Sequence, residues 1–175
     1  VALPVPSCAV EPAVAARPAA DDEAAALGQA VHRVLEWATQ RADGATPAFD
    51  AMSRAAARAF GVGDASMVRR VAERIWASPE CRRFFEPAAI EWSGNEVNVA
   101  SADGLPRRID RLVLLREPQR AWWVLDYKLA ADPARDPALQ AQLADYRRAV
   151  AALVPGQAVR AAFITGQGRL VIAEG

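Results

Sequence analysis

The stretch WWVLDYKLA, residues 122–130, begins as an apolar run and then sets Asp126 and Lys128 two positions apart inside it. Read as a strand, it puts Trp122, Val124, Asp126 and Lys128 on one face and Trp123, Leu125 and Tyr127 on the other. The charges therefore continue an apolar face. Ions in such a place are costly unless paired, hydrogen-bonded or bound to a metal, so they call for a partner elsewhere in the chain. The segment PRRIDRLVLL (106–115) offers one, because Asp110, Leu112 and Leu114 share a face that is again apolar and again closed by a carboxylate. If EPQR (117–120) forms a tight hairpin, residues whose numbers sum to about 236 lie opposite each other, which sets Asp110 beside Asp126 with Cβ atoms about 4.5–5.5 Å apart. Two carboxylates that close repel unless something positive lies between them, and a divalent metal with oxygen ligands fits the gap. Lys128, one step along on the same face, would steer or activate a water attacking a phosphate and stabilise the charge that develops there. A plain cross-strand ion pair with one solvated carboxylate is the alternative that the hairpin alone leaves open.

Composition narrows the setting. With 175 residues and 53% hydrophobic content, the chain is long enough for one domain with a real core. Lys plus Arg equals Asp plus Glu at 21 each, so any nucleic-acid contact would rest on a local patch and not on a global field. Cys8 and Cys81 are too few and too far apart for a disulfide framework, a four-cysteine zinc site or a four-cysteine iron–sulfur cluster, and a reducing, cytoplasmic setting is the expectation. No apolar run is long enough to span a bilayer. The opening VALPVPSCAVEPAVAARPAA (1–20) has scattered prolines and no basic region ahead of an apolar core; it reads as a flexible Ala/Pro-rich linker, and the start at Val1 suggests a domain cut from something longer.

After that linker, residues 21–175 are expected to form the domain. Asp21 and Asp22 can cap a helix through EAAALGQAVHRVLEWATQ that ends at DGATP (43–47), and two more helices are predicted near 48–60 and 64–78, with a turn near 79–85. From Ala88 the texture changes to period two, predicting strands near 88–92, 95–100, 107–116 and 121–129. DPALQAQLADYRRAV then offers Asp136 as N-cap, Pro137 at the first helical position and a stripe of Leu139, Leu143, Tyr146 and Val150, followed by strands near 158–165 and 169–173 around TGQG. Helices, a meander, then helix and strand predict an α/β or α+β sandwich around a mixed sheet.

Four pieces in this order, GQAVHRVLEW, RRIDRLVLL, WVLDYKLA and LQAQLADYRRAV, resemble the C-terminal nuclease domain of the AddA and RecB helicase-nucleases, within the PD-(D/E)xK superfamily. The resemblance implies a restriction-endonuclease-like α/β fold, a mixed central sheet flanked by helices with an N-terminal helical segment. It implies a metal-dependent deoxyribonuclease, an exonuclease with possible endonuclease action, acting on single-stranded DNA in double-strand-break repair. By the same resemblance His32, Asp110 and Asp126 would bind Mg²⁺ or Mn²⁺, Tyr127 would lend its backbone carbonyl, Lys128 would be the catalytic lysine, and Gln142 and Tyr146 would position phosphate. Glu91 falls where related domains often carry an acid, although a solvated strand residue accounts for it too. The implied partners are DNA, a helicase part of the same parent chain and an AddB-like second subunit, with no membrane. AddB-type subunits carry four cysteines around an iron–sulfur cluster, which this chain cannot, and no Walker A loop occurs in it.

The residues themselves allow blander readings. His32 lies on the shoulder of its helix stripe, where a lone histidine is more often a satisfied core or surface residue. Gly28, one turn earlier, costs about 1 kcal/mol relative to Ala inside a helix, which suggests that another backbone or a ligand comes close. Gln142 and Tyr146 could be ordinary helix packing. Trp76, Trp122 and Trp123 read as core and not as a base-stacking platform. Arg107, Arg108, Arg111, Arg147 and Arg148 would make a basic rim for a DNA strand or simply be solvated. The rival functions are a free-standing Cas4-like or restriction-like nuclease, and a DNA-end-binding module that does not cut.

Overall fold

The computed structural model describes residues 19–40, 46–100 and 104–173. The linker expected at 1–20, Cys8 and most of DGATP therefore lie outside the described residues. Helix α1 (Ala19–Thr39) starts ahead of both aspartates, so Asp21 and Asp22 sit in its first turn and favour the positive end of the helix dipole instead of capping it. Helix α2 (Phe49–Phe60) ends where Gly61 takes φ 70°, a left-handed cap that returns its N–H to Ala57. Helix α3 (Ala65–Ala77) is capped by Asp64, whose carboxylate accepts from Ser66 N at 2.8 Å. A short 3₁₀ turn at Arg82–Phe84 then leads to the sheet.

The strands predicted at 88–92 and 95–100 are one strand, β1 (Ile90–Ala100). Ser93, Gly94 and Asn95 read as a turn by composition, but the chain runs on through them, and the register shift falls earlier, between Ile90 and Trp92. Strands β2 (Pro106–Leu115) and β3 (Trp122–Lys128) follow as an antiparallel meander. Their register pairs Arg111 with Leu125 and Val113 with Trp123, so the numbers do sum to 236. The connection is longer than a tight turn, closed by Leu115 N donating to Ala121 O at 3.1 Å.

Helix α4 (Pro137–Leu153) begins as its sequence requires, with the Asp136 carboxylate accepting from Ala138 N at 2.9 Å. It is the crossover that a parallel pair needs, delivering the chain to β4 (Val159–Thr165) alongside β3, and β5 (Leu170–Ile172) closes the edge. The order across the sheet is β1-β2-β3-β4-β5.

Period two then sorts the core into two layers. Val113, Leu115, Trp123, Leu125, Ala162 and Ile164 pack against α1, α2 and α3 on one face. Leu112, Val124, Ala161 and Phe163 pack against Leu143, Tyr146, Ala149 and Val150 of α4 on the other. This is the α/β architecture expected, a mixed sheet between helical layers. Trp123 is core as read; Trp76 is half-buried at the core's margin, with Phe49 and Phe85 against it, and Trp122 is half-buried against Trp92. No helix among the described residues is long and apolar enough to cross a membrane.

Candidate active site

Pairing between β2 and β3 runs only as far as Arg111 with Leu125. One residue further on, the Asp110 carboxylate takes over as acceptor: its Oδ2 receives the backbone N–H of Tyr127 at 2.9 Å. An acceptor of a strand N–H lies near the plane of the sheet, so this carboxylate fills the opening ladder. Asp126 is beside it, close enough for the two carboxyl groups to share a hydrogen bond. Lys128, next on the same face, brings Nζ to 2.7 Å from Asp126 Oδ2. Asp110 and Asp126 are thus neighbours, as the hairpin register implied.

From the α1 side, His32 reaches the same opening. Val31, Val34 and Leu35 bury the helix stripe, which leaves His32 on its shoulder as expected. Its ring lies 5.2 Å from that of Tyr127, and Nε2 is 3.1 Å from Glu96 Oε1. Glu96 stands on β1 between the pairs Asn95–Arg111 and Val97–Ile109, hence opposite Asp110. Its backbone takes φ 52°, a left-handed conformation uncommon for glutamate that costs on the order of 1–3 kcal/mol and tends to mark functional sites. The other oxygen, Oε2, is 2.5 Å from Arg108 Nε. Donor atoms of His32, Glu96 and Asp110 all fall within 4.8 Å of one another.

The electrostatics of this cluster are those of a site short of positive charge. Burial, and then the charge of Asp110, push the Asp126 carboxyl up to about 7. Asp110 is raised as well, by burial above all. Burial lowers the His32 imidazole below its ordinary value, so it is neutral and free to act as a ligand at pH 7. His32 Nε2 and Asp126 Oδ2 are buried without a hydrogen bond of acceptable geometry, although each has an oppositely charged or polar neighbour within reach. Orphaned acceptors beside crowded carboxylates, one imidazole among oxygens, are the donor set of a Mg²⁺- or Mn²⁺-type ion. The residues present fit such an ion.

The remaining expected residues divide. Tyr146 is buried on α4, its hydroxyl raised by burial and then by the charges of Asp126 and Asp110, which places it at the acid pair. Gln142, one turn before it, is exposed. Burial also raises the Tyr127 hydroxyl, which has no hydrogen-bond partner on the α1 side of the sheet. Glu91 stands at the far end of β1, ion-paired with Arg120 and exposed, apart from the cluster. Gly28 has the Leu129 side chain at 3.9 Å from an added Cβ, an ordinary contact, so the close approach inferred from its cost is not found. That approach occurs instead at Gly166, where an added Cβ would lie 3.1 Å from Leu129 O, just after Lys128.

Of the expected basic rim, Arg108 holds Glu96, Arg148 pairs with Asp145, and Arg107 acts on the Tyr146 hydroxyl. Arg111 is not rim at all. It is 2% exposed, giving Nε and Nη2 to Phe84 O at 3.1 and 2.9 Å and Nη1 to Asn95 Oδ1 at 2.8 Å. Alternation had already set it with Val113 and Leu115 on an apolar face. Glu96 is the acid that sequence reasoning missed. The signal was there in the sequence: Asp103-Gly104 is a turn dipeptide, and a hairpin counted outward from it sets residue 96 near residue 110, between the observed pairs Asn95–Arg111 and Val97–Ile109.

No curated protein matches the chain. A model of the PD-(D/E)XK nuclease superfamily matches residues 11–171. With nearly the whole length matched, a mixed sheet between helical layers, and carboxylates and a lysine gathered where the ladder opens, the chain belongs to the PD-(D/E)XK nuclease superfamily and has its restriction-endonuclease-like fold.

Proposed function

We propose that His32, Glu96, Asp110 and Asp126 hold a divalent cation, Mg²⁺ or Mn²⁺, and that Lys128 acts beside them to hydrolyse phosphodiester bonds in DNA. Membership of the superfamily implies a metal-dependent nuclease with a DNA substrate. The observation that carries the residue assignment is the opening of the β2–β3 ladder, where the Asp110 carboxylate replaces a backbone acceptor and meets Asp126, His32 and Glu96. A bound divalent ion supplies Lewis acidity toward water and a phosphate oxygen.

The chain's own residues do the rest. Asp110 is fixed by Tyr127 N, so its free oxygen is presented in one orientation. Burial and the charge of Asp110 raise the Asp126 carboxyl to about 7, so holding a cation there would favour its deprotonated form and couple proton release to binding. Lys128, half-buried with its ammonium on Asp126, is placed to donate to an attacking water or to the charge growing on the phosphate. The Tyr127 main-chain carbonyl belongs to the proposed ligand set. Tyr146 and Gln142, one turn apart on α4, would hold the phosphate from the opposite face.

The finer reading is an exonuclease on single-stranded DNA, within an AddA/RecB-type helicase-nuclease of double-strand-break repair, with the motor in the same chain, an AddB-like partner and a cytoplasmic setting. It rests on the order of the four sequence pieces and on cysteine usage. The test is cleavage of end-labelled linear and closed circular single-stranded DNA with Mg²⁺, Mn²⁺ or EDTA, for the wild type and Lys128→Ala. The expected result is metal-dependent cutting of the linear strand that Lys128→Ala abolishes. Cutting of circles would replace the exonuclease assignment with an endonuclease. DNA binding that survives EDTA with no cutting in any metal would make the domain an end-binding module.

A further inference from the structure

We propose that Arg108 is the cation that occupies Glu96 in the metal-free protein, and that metal binding releases it to hold a DNA phosphate in the adjoining cleft. This rests on reading the cluster as a nuclease centre. The two oxygens of Glu96 are divided, Oε1 toward His32 Nε2 at 3.1 Å and Oε2 on Arg108 Nε at 2.5 Å. The pair is lopsided: the Glu96 side chain is 24% exposed, on a backbone locked at φ 52°, whereas that of Arg108 is 67% exposed. The carboxylate is held in place while the guanidinium stands in solvent, so the arginine is the member that can leave. Asp126 repeats the arrangement on the other face with Lys128. Each of the two carboxylates thus has a side-chain cation where a hard divalent ion would compete for oxygen.

The released guanidinium has somewhere to go. A cleft of about 150 Å³ opens beside the cluster, lined by Gln29, Arg33, Glu36, Phe60 and Arg108 together with His32 and Glu96. Arg33 is tied to Glu36 at 2.7 Å on its own helix. The fork that fits a carboxylate fits a phosphate equally well, so Arg108 exchanges one anion for another without a change of chemistry.

Two measurements read the exchange with opposite signs. Calorimetric titration with Mn²⁺ in the absence of DNA is expected to show Arg108→Ala binding the ion about two- to fivefold more tightly than wild type, the range an exposed ion pair can withhold. Anisotropy of a labelled single-stranded oligonucleotide is then followed over a salt series in Ca²⁺, on a Lys128→Ala background that leaves the strand intact. There Arg108→Ala is expected to lower the slope of log K against log salt by about 0.7, one phosphate contact, while Arg108→Lys keeps it; in EDTA the slopes coincide. Unchanged or weaker Mn²⁺ binding by Arg108→Ala, or a salt slope untouched by it in Ca²⁺, overturns the exchange. If the wild type itself takes up no Mn²⁺, the nuclease reading of the cluster falls with it, so the two failures are told apart.

Discussion

Two glutamates on β1, Glu91 and Glu96, have nearly the same local chemistry and opposite meanings. Each is ion-paired with an arginine of the neighbouring β2–β3 hairpin, Arg120 and Arg108 respectively. They stand about 16 Å apart along the strand, Glu91 near its start and Glu96 beside the point where the β2–β3 ladder stops. At the Glu91 end the ladder is closed: Leu114 pairs with both Trp92 and Trp122, the two indoles lie 5.5 Å apart, and the ion pair sits outside on the surface. At the Glu96 end the ladder stops, and Asp110, Asp126, His32 and Lys128 crowd the space that paired backbone would fill. An acid at a closed end can be satisfied by water and one arginine. The three carboxylates at the open end, Glu96, Asp110 and Asp126, outnumber the two cations paired with them, Arg108 and Lys128, and that surplus of negative charge is what a divalent ion answers.

The largest expected effect comes from removing one charge at the open end. Asp126→Asn should lower the Mg²⁺-dependent cleavage rate by at least about 10³-fold. Yet it should raise the melting temperature of the metal-free protein, because a buried carboxylate pushed up to about 7 by burial and by Asp110 is gone. A nuclease site that trades stability for charge behaves so; a structural ion pair would lose stability and leave cleavage alone. Next in size is Arg111→Met. It leaves Phe84 O and Asn95 Oδ1 without donors, and Asn95 in turn donates to Thr39 Oγ1 at 2.8 Å at the end of α1. The expected loss is about 2–4 kcal/mol in urea unfolding. A loss under about 1 kcal/mol would mean that this buried guanidinium is not what ties β2 to the 3₁₀ turn and to β1.

How much of this was legible follows from the range of the interactions involved. Asp136-Pro137 is a local signal, and α4 starts there. The β2–β3 register followed from the short link between them, and with it the meeting of Asp110 and Asp126. Glu96 was lost because Ser93-Gly94-Asn95 mimics a turn, which cut β1 in two and hid the register that faces residue 96 with residue 110. Arg111 was misjudged because charge was weighed ahead of alternation; its burial depends on Phe84 O, a backbone atom that no side-chain pattern reveals. Gly166 escaped for the same reason, since its neighbour is the Leu129 backbone, brought near by the parallel pairing of β3 with β4.

The closed and open ends should also respond differently to pH. In the folded metal-free protein Asp126 keeps its proton up to about 7, with Asp110 raised alongside it, whereas the unfolded carboxyl loses its proton near the ordinary 3.8. The folded state therefore binds more protons between those values, and its stability falls as pH rises through them. His32, lowered by burial, works in the opposite sense below its ordinary 6.5 and offsets part of the change. Urea unfolding without metal should give a protein on the order of 1–3 kcal/mol less stable at pH 8 than at pH 5. Adding Mn²⁺ should reverse the trend, since the ligands must be deprotonated to bind. A metal-free protein that gains stability toward pH 8 would show that the acid pair is already neutralised by Lys128 and Arg108.

The smallest effects test the comparison most directly, because they put the same substitution at two points of one strand. Glu96→Gln keeps the size and the polar contact with His32 but removes the charge from the cluster. Cleavage should fall about tenfold, equal to 1.4 kcal/mol of lost transition-state stabilisation, and most of the loss should be recovered at high Mn²⁺, as weakened ion binding predicts. Glu91→Gln makes the same chemical change on a surface pair and should leave both cleavage and stability within about 0.5 kcal/mol of wild type. Should the two variants lose activity equally, the position of the ladder's opening would carry no functional meaning, and the acids would be acting through the overall charge of the sheet edge. A loss at Glu96 that no concentration of Mn²⁺ restores would instead make this carboxylate a contact for the attacking water and not for the ion, since a missing ligand is answered by mass action and a missing proton acceptor is not.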